Sequence, residues 1–160
     1  MKLKYGIDMV LVVGSLLVLT LLVGYTSPLV LSPLNDYESS ESEVLFEIEK
    51  ADLLIIDDNI DFTTPEEYVA EEGLRINLEP GQYYWKAVGI RDSEIRTLTI
   101  NSKVVLELRE SAEGYDVINA GNVRLNVDVY NGSELVDKIK IGTGEEIDSS
   151  GDKFVGGEDE

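Results

Sequence analysis

The sequence predicts an all-β domain, a β-sandwich with one short helix, preceded by a single N-terminal transmembrane helix. Residues 9–25 contain no charged side chain. From Glu43 onward, short apolar segments alternate with turn residues, which is typical of all-β domains. The chain has 160 residues, enough for one soluble domain of about 100 residues in addition to the helix and its flanking segments. We therefore expect a membrane helix followed by one folded ectodomain at residues 43–142.

The N-terminal apolar stretch has the length of a membrane-spanning helix. A bilayer requires about 20 mostly apolar residues in helical form, and residues 7–26 supply them with Asp8 at the boundary. Lys2 and Lys4 precede the stretch, whereas acidic residues follow it, so the positive-inside rule places residues 1–6 in the cytoplasm. We expect a signal-anchor at 7–26 in the cell membrane, with the C-terminal domain on the extracytoplasmic side.

Two other interpretations of this stretch stay open. A cleaved signal peptide has a shorter apolar region and small residues at its cleavage site, whereas Tyr25 stands beside the only candidate cut here. The sequence Lys4-Tyr5-Gly6 before an apolar helix loosely resembles the processing site of pilin-like filament subunits. That site usually has a charged or small residue where this chain has Tyr5, however, and Pro28 and Pro33 would end the helix early.

The composition disfavours several classes of function. The chain contains no cysteine and no histidine, so disulfides, thiolate metal sites and histidine-based acid–base catalysis are ruled out. A formal net charge of −19 at pH 7 argues against binding to nucleic acid, which depends on Lys and Arg neutralising phosphates. We therefore expect a protein that is not an enzyme and that requires no cofactor, with Ca²⁺ as the one candidate ion.

Two segments lack the pattern of a folded element. Residues 27–42 mix Pro, Ser and acidic residues, which predicts a stalk that lifts the domain from the bilayer. Residues 143–160 are rich in Gly, Ser and acidic residues, which predicts a disordered acidic tail.

Between these segments, alternation of apolar and polar residues predicts the strands and their inward faces. The expected inward residues are Val44, Phe46 and Ile48, then Tyr83, Trp85 and Ala87, then Leu98 and Ile100, then Val104, Leu106 and Leu108. Leu53–Ile56 is continuously apolar, which predicts a strand buried on both faces. Further strands are expected at 74–78 and 115–118.

One short helix is predicted at residues 65–72. Thr64 is a suitable N-cap, and Pro65 occupies the first helical position, where its missing N–H costs nothing. Glu67 completes a capping box, and Gly73 supplies a left-handed C-terminal stop.

A β-hairpin is predicted near the C-terminal end of the domain, at residues 123–141. Val123, Leu125, Val127 and Val129 alternate toward one face, and Leu135, Ile139 and Ile141 return along the second strand. Asn131-Gly132 is a favoured two-residue turn. The hairpin either extends the same sandwich or begins a second one.

Residues 44–109 resemble the PEGA domain, a small immunoglobulin-like β-sandwich of prokaryotic surface proteins. The resemblance is carried by the strand at 51–56, by Thr64-Pro65 after an acidic turn, by Leu78-Glu79-Pro80-Gly81 followed by Tyr83, and by the strand at 104–108. Glu49-Lys50-Ala51 retains only the Ala of the name-giving motif, and the predicted helix is an insertion. The resemblance implies a fold and a surface location, and it transfers no catalytic residue to this chain.

Asp57, Asn59 and Asp61 form the best candidate metal site. They are spaced as the first ligands of a calcium loop, where alternate oxygens in a tight turn converge on one hard cation. Phe62 stands where such a loop needs Gly, and Tyr68 stands where it needs a bidentate Glu. The competing interpretation is a solvated turn closed by side-chain hydrogen bonds.

Other surface residues are candidates for ligand contact or modification. Tyr84 and Tyr130 are expected to point outward and could contact an envelope glycan or a surface protein. Asn131-Gly132-Ser133 is the only N-x-[ST] sequon, and an ordinary hairpin turn would explain it equally well.

These observations favour a membrane-anchored surface protein with a structural or protein-interaction role. A cation- or glycan-binding surface module and a pilin-like filament subunit are the alternatives.

Overall fold

The computed structural model describes residues 2–112 and 114–159, and for residues 2–5, 7 and 23–26 it describes the backbone alone. Apart from one N-terminal helix, the secondary-structure elements of the described residues are all β-strands, which confirms the all-β prediction. In chain order the elements are α1 (Lys2–Thr26), β1 (Leu29–Ser32), β2 (Tyr37–Ser39), β3 (Glu43–Glu49), β4 (Leu53–Asp57), β5 (Glu66–Val69), β6 (Leu74–Asn77), β7 (Gly81–Val88), β8 (Arg96–Ile100), β9 (Leu106–Glu110), β10 (Tyr115–Asn119), β11 (Leu125–Asn131), β12 (Glu134–Ile141), β13 (Glu146–Ser149) and β14 (Lys153–Glu158).

The chain forms two compact units rather than the one domain expected at 43–142. The first unit contains Met1–Asn35, Leu45–Leu74 and Tyr83–Thr97. The second unit contains Asp36–Val44, Arg75–Gln82 and Leu98–Glu160. The units therefore interleave along the chain, and β3, β6, β7 and β8 each have residues in both. The predicted hairpin belongs to the second unit.

Helix α1 covers the segment predicted as the membrane anchor at 7–26. Across the part of the chain that the structure describes, no helix is both long and apolar enough to cross a membrane.

The first unit is organised around β4. This strand pairs antiparallel with β5 on one side and with β7 on the other, so that Ile56 lies between Glu66 and Trp85. Alternate residues of β4 point into the core, since Leu54 and Ile56 are buried. Leu53 and Ile55 are only half-buried, so the prediction of a strand buried on both faces is wrong. The Trp85 ring packs edge-to-face against Phe46, with the ring centroids 5.2 Å apart. Strand β1 pairs antiparallel with β3 in the same unit.

The second unit contains two three-stranded antiparallel sheets, with the strand orders β13-β10-β9 and β12-β11-β14. A short parallel pairing of β2 with β8 also lies in this unit, from Tyr37 opposite Leu98 to Ser39 opposite Ile100. The two antiparallel sheets share a core. Its buried members are Val117, Val123, Leu125, Val127 and Ile141.

The predicted helix at 65–72 is wrong, because residues 66–69 form β5. The local signals for a helix are outweighed by the pairing of β5 with β4, which satisfies its backbone along one side. Pro65 lies just before this strand, a position where its missing N–H disrupts no sheet hydrogen bond. Gly73 does adopt a positive φ of 72°. It is, however, the third residue of a turn in which the Leu74 N–H donates a hydrogen bond to the Glu71 carbonyl oxygen.

The predicted stalk at 27–42 and the predicted disordered tail at 143–160 are also wrong. The stalk segment contains β1 and β2, which pair with β3 and β8. The tail contains β13 and β14, which pair with β10 and β11. The tail is mostly polar, whereas β1 in the first segment reads Leu29-Val30-Leu31-Ser32. Both segments become ordered because neighbouring strands supply hydrogen-bond partners.

Most of the predicted inward faces are confirmed. Phe46, Trp85, Ala87 and Leu98 are fully buried. Among the described residues of 104–108, however, Val104 and Leu108 are 46% and 48% exposed, and only Leu106 packs against the core. Val104 lies before β9, and β9 is an edge strand of its sheet whose residues from Glu107 to Glu110 are all exposed.

The hairpin of β11 and β12 forms as predicted, with two local differences. Val123, Leu125, Val127 and Val129 are buried, as expected. Asn131 pairs with Glu134, so the two turn residues are Gly132 and Ser133 rather than Asn131 and Gly132. A register shift between Val129 and Tyr130 places Leu135 opposite Tyr130, and Leu135 is 43% exposed instead of inward.

Candidate functional site

The predicted calcium loop lies at the end of β4, in the first unit. Asp57 is the last residue of the strand and is only 5% exposed, whereas Asn59 and Asp61 are exposed in the following loop. Both oxygens of the Asp57 carboxylate already accept hydrogen bonds from backbone N–H groups. Its Oδ1 accepts a hydrogen bond from the Asn59 N–H at 3.0 Å, and its Oδ2 accepts one from the Thr64 N–H at 2.9 Å.

Asn59 repeats the arrangement two residues later. Its Oδ1 accepts a hydrogen bond from the Asp61 N–H at 3.0 Å, and its carbonyl accepts one from the Phe62 N–H at 3.0 Å. Phe62, which stands where a calcium loop needs Gly, adopts a left-handed φ of 49°. The side-chain oxygens of Asp57 and Asn59 therefore fold the loop back on itself, as in Asx turns.

The geometry does not bring these oxygens together as a ligand set. Among residues 2–112 and 114–159, no group of three or more acidic side chains is placed to hold a metal ion. The chemical role that the contacts support for Asp57 is that of a loop anchor. The backbone N–H groups of Thr64 and Asn59 hold the pKa of Asp57 below its usual value, against the opposing effect of burial, which is the largest single influence.

We expect Asp57→Asn to lower the free energy of unfolding at neutral pH and to change it little in acid. Because the folded-state pKa of Asp57 is lowered from 3.8, its contribution is complete above the unfolded value and disappears as the pH falls through the folded value. Urea unfolding of both proteins from pH 7 to pH 2 measures the difference in unfolding free energy, which should shrink below about pH 4.

Asp61→Asn is the matched control, since Asp61 is exposed in the same loop and its side chain is not among the groups that lower the pKa of Asp57. The loop-anchor role is contradicted if the two variants behave alike. Addition of millimolar Ca²⁺ tests the calcium hypothesis in the same samples, because a cation held by Asp57 would stabilise the wild type and not Asp57→Asn.

Tyr84 and Tyr130, the predicted ligand-contact residues, lie in different units and are both half-buried. Tyr130 lies on β11, and the Lys153 ammonium sits 5.2 Å from the centre of its ring. Tyr84 lies on β7 opposite Asp57. Each of them remains an individual candidate for ligand contact.

The sequon is at the tip of the β11–β12 hairpin in the second unit. Asn131, Gly132 and Ser133 are all exposed. Gly132 has a φ of +63°, which a tight hairpin turn requires and glycine adopts without strain. Its N–H donates a hydrogen bond to Asp152 Oδ2 at 2.8 Å, which fixes the turn.

The structure reveals a buried polar residue that the sequence analysis missed. Asn119 is fully buried at the end of β10. Its Nδ2 donates to the carbonyl oxygens of Val123 at 2.7 Å and Ile141 at 3.1 Å, and its Oδ1 accepts from the Gly121 N–H at 3.0 Å. The signal in the sequence is the strand Tyr115–Asn119, whose alternation places Asn119 on the same face as Val117.

A second missed feature is a charged cluster on the sheet of β9, β10 and β13. The Arg109 guanidinium bonds Asp116 at 2.9 Å and also bonds Glu146. A hydrogen bond with Asp148 and the contact with Arg109 together lower the pKa of Asp116. Since these residues lie on neighbouring strands, the cluster cross-links the sheet.

A cleft in the second unit has a volume of about 600 Å³ and is lined mostly by polar residues. Arg124 is its one cationic residue. The lining residues include Asn77, Glu79, Asn122, Arg124, Thr143 and Glu158.

No protein-family model, curated protein or solved structure matches this chain.

Proposed function

We propose that this chain is a single-pass, membrane-anchored protein whose strands form a structural or protein-interaction module at the cell surface. In this arrangement residues 1–6 lie in the cytoplasm, residues 7–26 lie in the bilayer, and the remainder is extracytoplasmic. The observation that carries the proposal is the apolar N-terminal helix.

From Met9 to Leu22, large apolar side chains lie on every side of α1 and are exposed to a similar extent. From Met9 to Leu22 the exposed fractions of its large apolar residues range from 53% to 71%. A helix that is apolar all round requires an apolar environment. The anchor needs the apolar stretch to continue through residues 23–25, whose side chains lie outside the described part.

A non-catalytic role is supported by the composition. With no histidine and no cysteine in the chain, a catalytic triad or dyad of the usual nucleophile types cannot be assembled. Interaction through the β-sheets requires neither residue.

Sheet edges in the second unit support an interaction role. Strand β11 is the central strand of the sheet β12-β11-β14. The outer strands β12 and β14 each pair with β11 along one edge, and the other edge of each faces away from the sheet. Strand β12 extends over eight residues, from Glu134 to Ile141. An edge strand offers backbone N–H and C=O groups to a partner strand, and the charges of Lys138 and Lys140 limit unspecific pairing.

The finer fold that we propose for residues 44–109 is an immunoglobulin-like sandwich of the PEGA type. Its support is the set of motifs around Leu78-Glu79-Pro80-Gly81, whose last residue is the first of β7. This assignment agrees with the proposed location at a prokaryotic cell surface.

We expect the double variant Leu16→Arg/Leu19→Arg to release most of the chain from membranes. An arginine near the middle of a membrane helix costs about 3 kcal/mol, so two of them should prevent stable insertion. The measurement is the fraction of full-length chain that stays in the membrane pellet after an alkaline carbonate wash, compared with wild type.

Leu34→Arg is the matched control, because Leu34 is equally apolar and 69% exposed but lies outside α1. The control should stay in the pellet. Protease added to intact cells should digest the C-terminal region of the wild type. Carbonate extraction of the wild type, or full protection of its C-terminal region from protease, would refute the proposed function.

A further inference from the structure

We propose that Asn131 carries an N-linked glycan attached to the tip of the β11–β12 hairpin. The inference rests on the proposed function, because the glycan donor is available on the extracytoplasmic side of the membrane. It goes further by assigning a covalent modification to one side chain.

The tip of the hairpin meets the steric requirement for modification. Asn131, Gly132, Ser133 and Glu134 are all exposed. A Cβ built onto Gly132 would have no atom within 4 Å, so the tip is surrounded by open space. An acceptor at such a site can be reached in the folded protein.

The local backbone presents the sequon in one fixed conformation. The positive φ of Gly132 turns the chain sharply between Asn131 and Ser133. Asp152 holds this turn through its hydrogen bond to the Gly132 N–H. Asn131 and the Ser133 hydroxyl, the two groups that define a sequon, therefore lie on either side of Gly132 in a turn that is already formed.

Neighbouring apolar residues give the glycan a physical role. Leu135 and Val136 follow directly on β12 and are 43% and 53% exposed. Asn131 lies opposite Glu134, one residue before them. A glycan at Asn131 would lie next to these exposed apolar side chains and limit their contact with other chains.

The reaction is a glycosyl transfer. The Asn131 amide nitrogen forms a bond with the anomeric carbon of a lipid-linked oligosaccharide. The bond from that carbon to the lipid phosphate oxygen breaks, and the phosphate leaves with the electron pair. The amide gives up one proton to a base of the transferase, and no oxidant or reductant is consumed.

The test is mass spectrometry of the full chain isolated from the membranes of the cells that produce it. Trypsin cuts after Arg124 and Lys138, so a single peptide contains both Asn126 and Asn131. We expect this peptide to carry sugar mass, and we expect fragmentation to place the mass on Asn131.

Four variants test whether the sugar mass depends on the residues of the sequon. Asn131→Gln and Ser133→Ala should abolish the sugar mass. Ser133→Thr should retain it, because threonine preserves the sequon. Asn126→Gln is the matched control, since Asn126 is exposed on the same strand but Asp128 follows it at the third position. It should also retain the mass.

An unmodified peptide overturns the inference. If protease reaches the C-terminal region on intact cells while the peptide carries no sugar, the proposed function stands and the glycan alone is refuted. If the region is protected and unmodified, both are refuted. Sugar mass that persists in Asn131→Gln would also overturn the assignment to this residue.

Discussion

Replacing Asn119 with leucine should lower the free energy of unfolding by about 3 kcal/mol or more. The two side chains are similar in size, so the change leaves little empty space. It removes both hydrogen bonds to the carbonyl oxygens of Val123 and Ile141 and the one from the Gly121 N–H. Each buried group left without a partner costs about 1 to 3 kcal/mol. Urea unfolding of the full chain in detergent, followed by circular dichroism, measures the loss.

The matched control for this prediction is Asn126→Leu on β11, the next strand along the chain. Asn126 is exposed and donates one hydrogen bond, to Asp159. Water can replace that contact, so we expect a change below about 1 kcal/mol. If both variants were equally stable, the buried amide would have no structural role.

Trp85→Ala should produce a loss of similar or greater size, about 3 to 5 kcal/mol. Trp85 is fully buried in the first unit and packs edge-to-face against Phe46. The Arg96 guanidinium also lies 5.7 Å from its ring. Alanine would remove these contacts and leave a large cavity. Because Trp85 is the only tryptophan, unfolding of the variant is followed by circular dichroism rather than by fluorescence.

Trp85→Phe provides the control for ring size and hydrogen bonding. The Trp85 Nε1–H has no hydrogen-bond partner among the described residues, so losing it breaks no hydrogen bond. We expect a markedly smaller loss than for Trp85→Ala, because an aromatic ring remains against Phe46. Equal losses for the two variants would show that the indole itself is required.

Periodicity predicted the strands that carry the cores. Phe46, Trp85, Leu98 and Val127 are fully or almost fully buried, as their alternation indicated. Alternation succeeds for these strands because one of their faces is buried and the other is more open to solvent. It failed at Leu108, which lies on an edge strand, and at Leu135, where a register shift changes the face.

The candidate site was predictable only in part. The spacing of Asp57, Asn59 and Asp61 indicated a tight loop, and the alternative of a turn closed by side-chain hydrogen bonds is confirmed for Asp57 and Asn59. Their partners depend on the path of the backbone, which brings the Thr64 N–H to Asp57 across seven residues. Sequence spacing cannot distinguish an oxygen that closes a loop from one that is free to bind a cation.

The sequence by itself determined the all-β class, the N-terminal helix, the main buried residues and the position of the C-terminal hairpin. These features depend on short-range patterns of apolar and polar residues. The tertiary structure alone decided that 66–69 is a strand, that 27–42 and 143–160 contain paired strands, and that Gly121 must be glycine, since a Cβ there would lie 2.1 Å from the Lys103 carbonyl oxygen. The physical reason is that backbone hydrogen bonds between distant segments outweigh weak local preferences, and those partners are fixed only when the chain has folded.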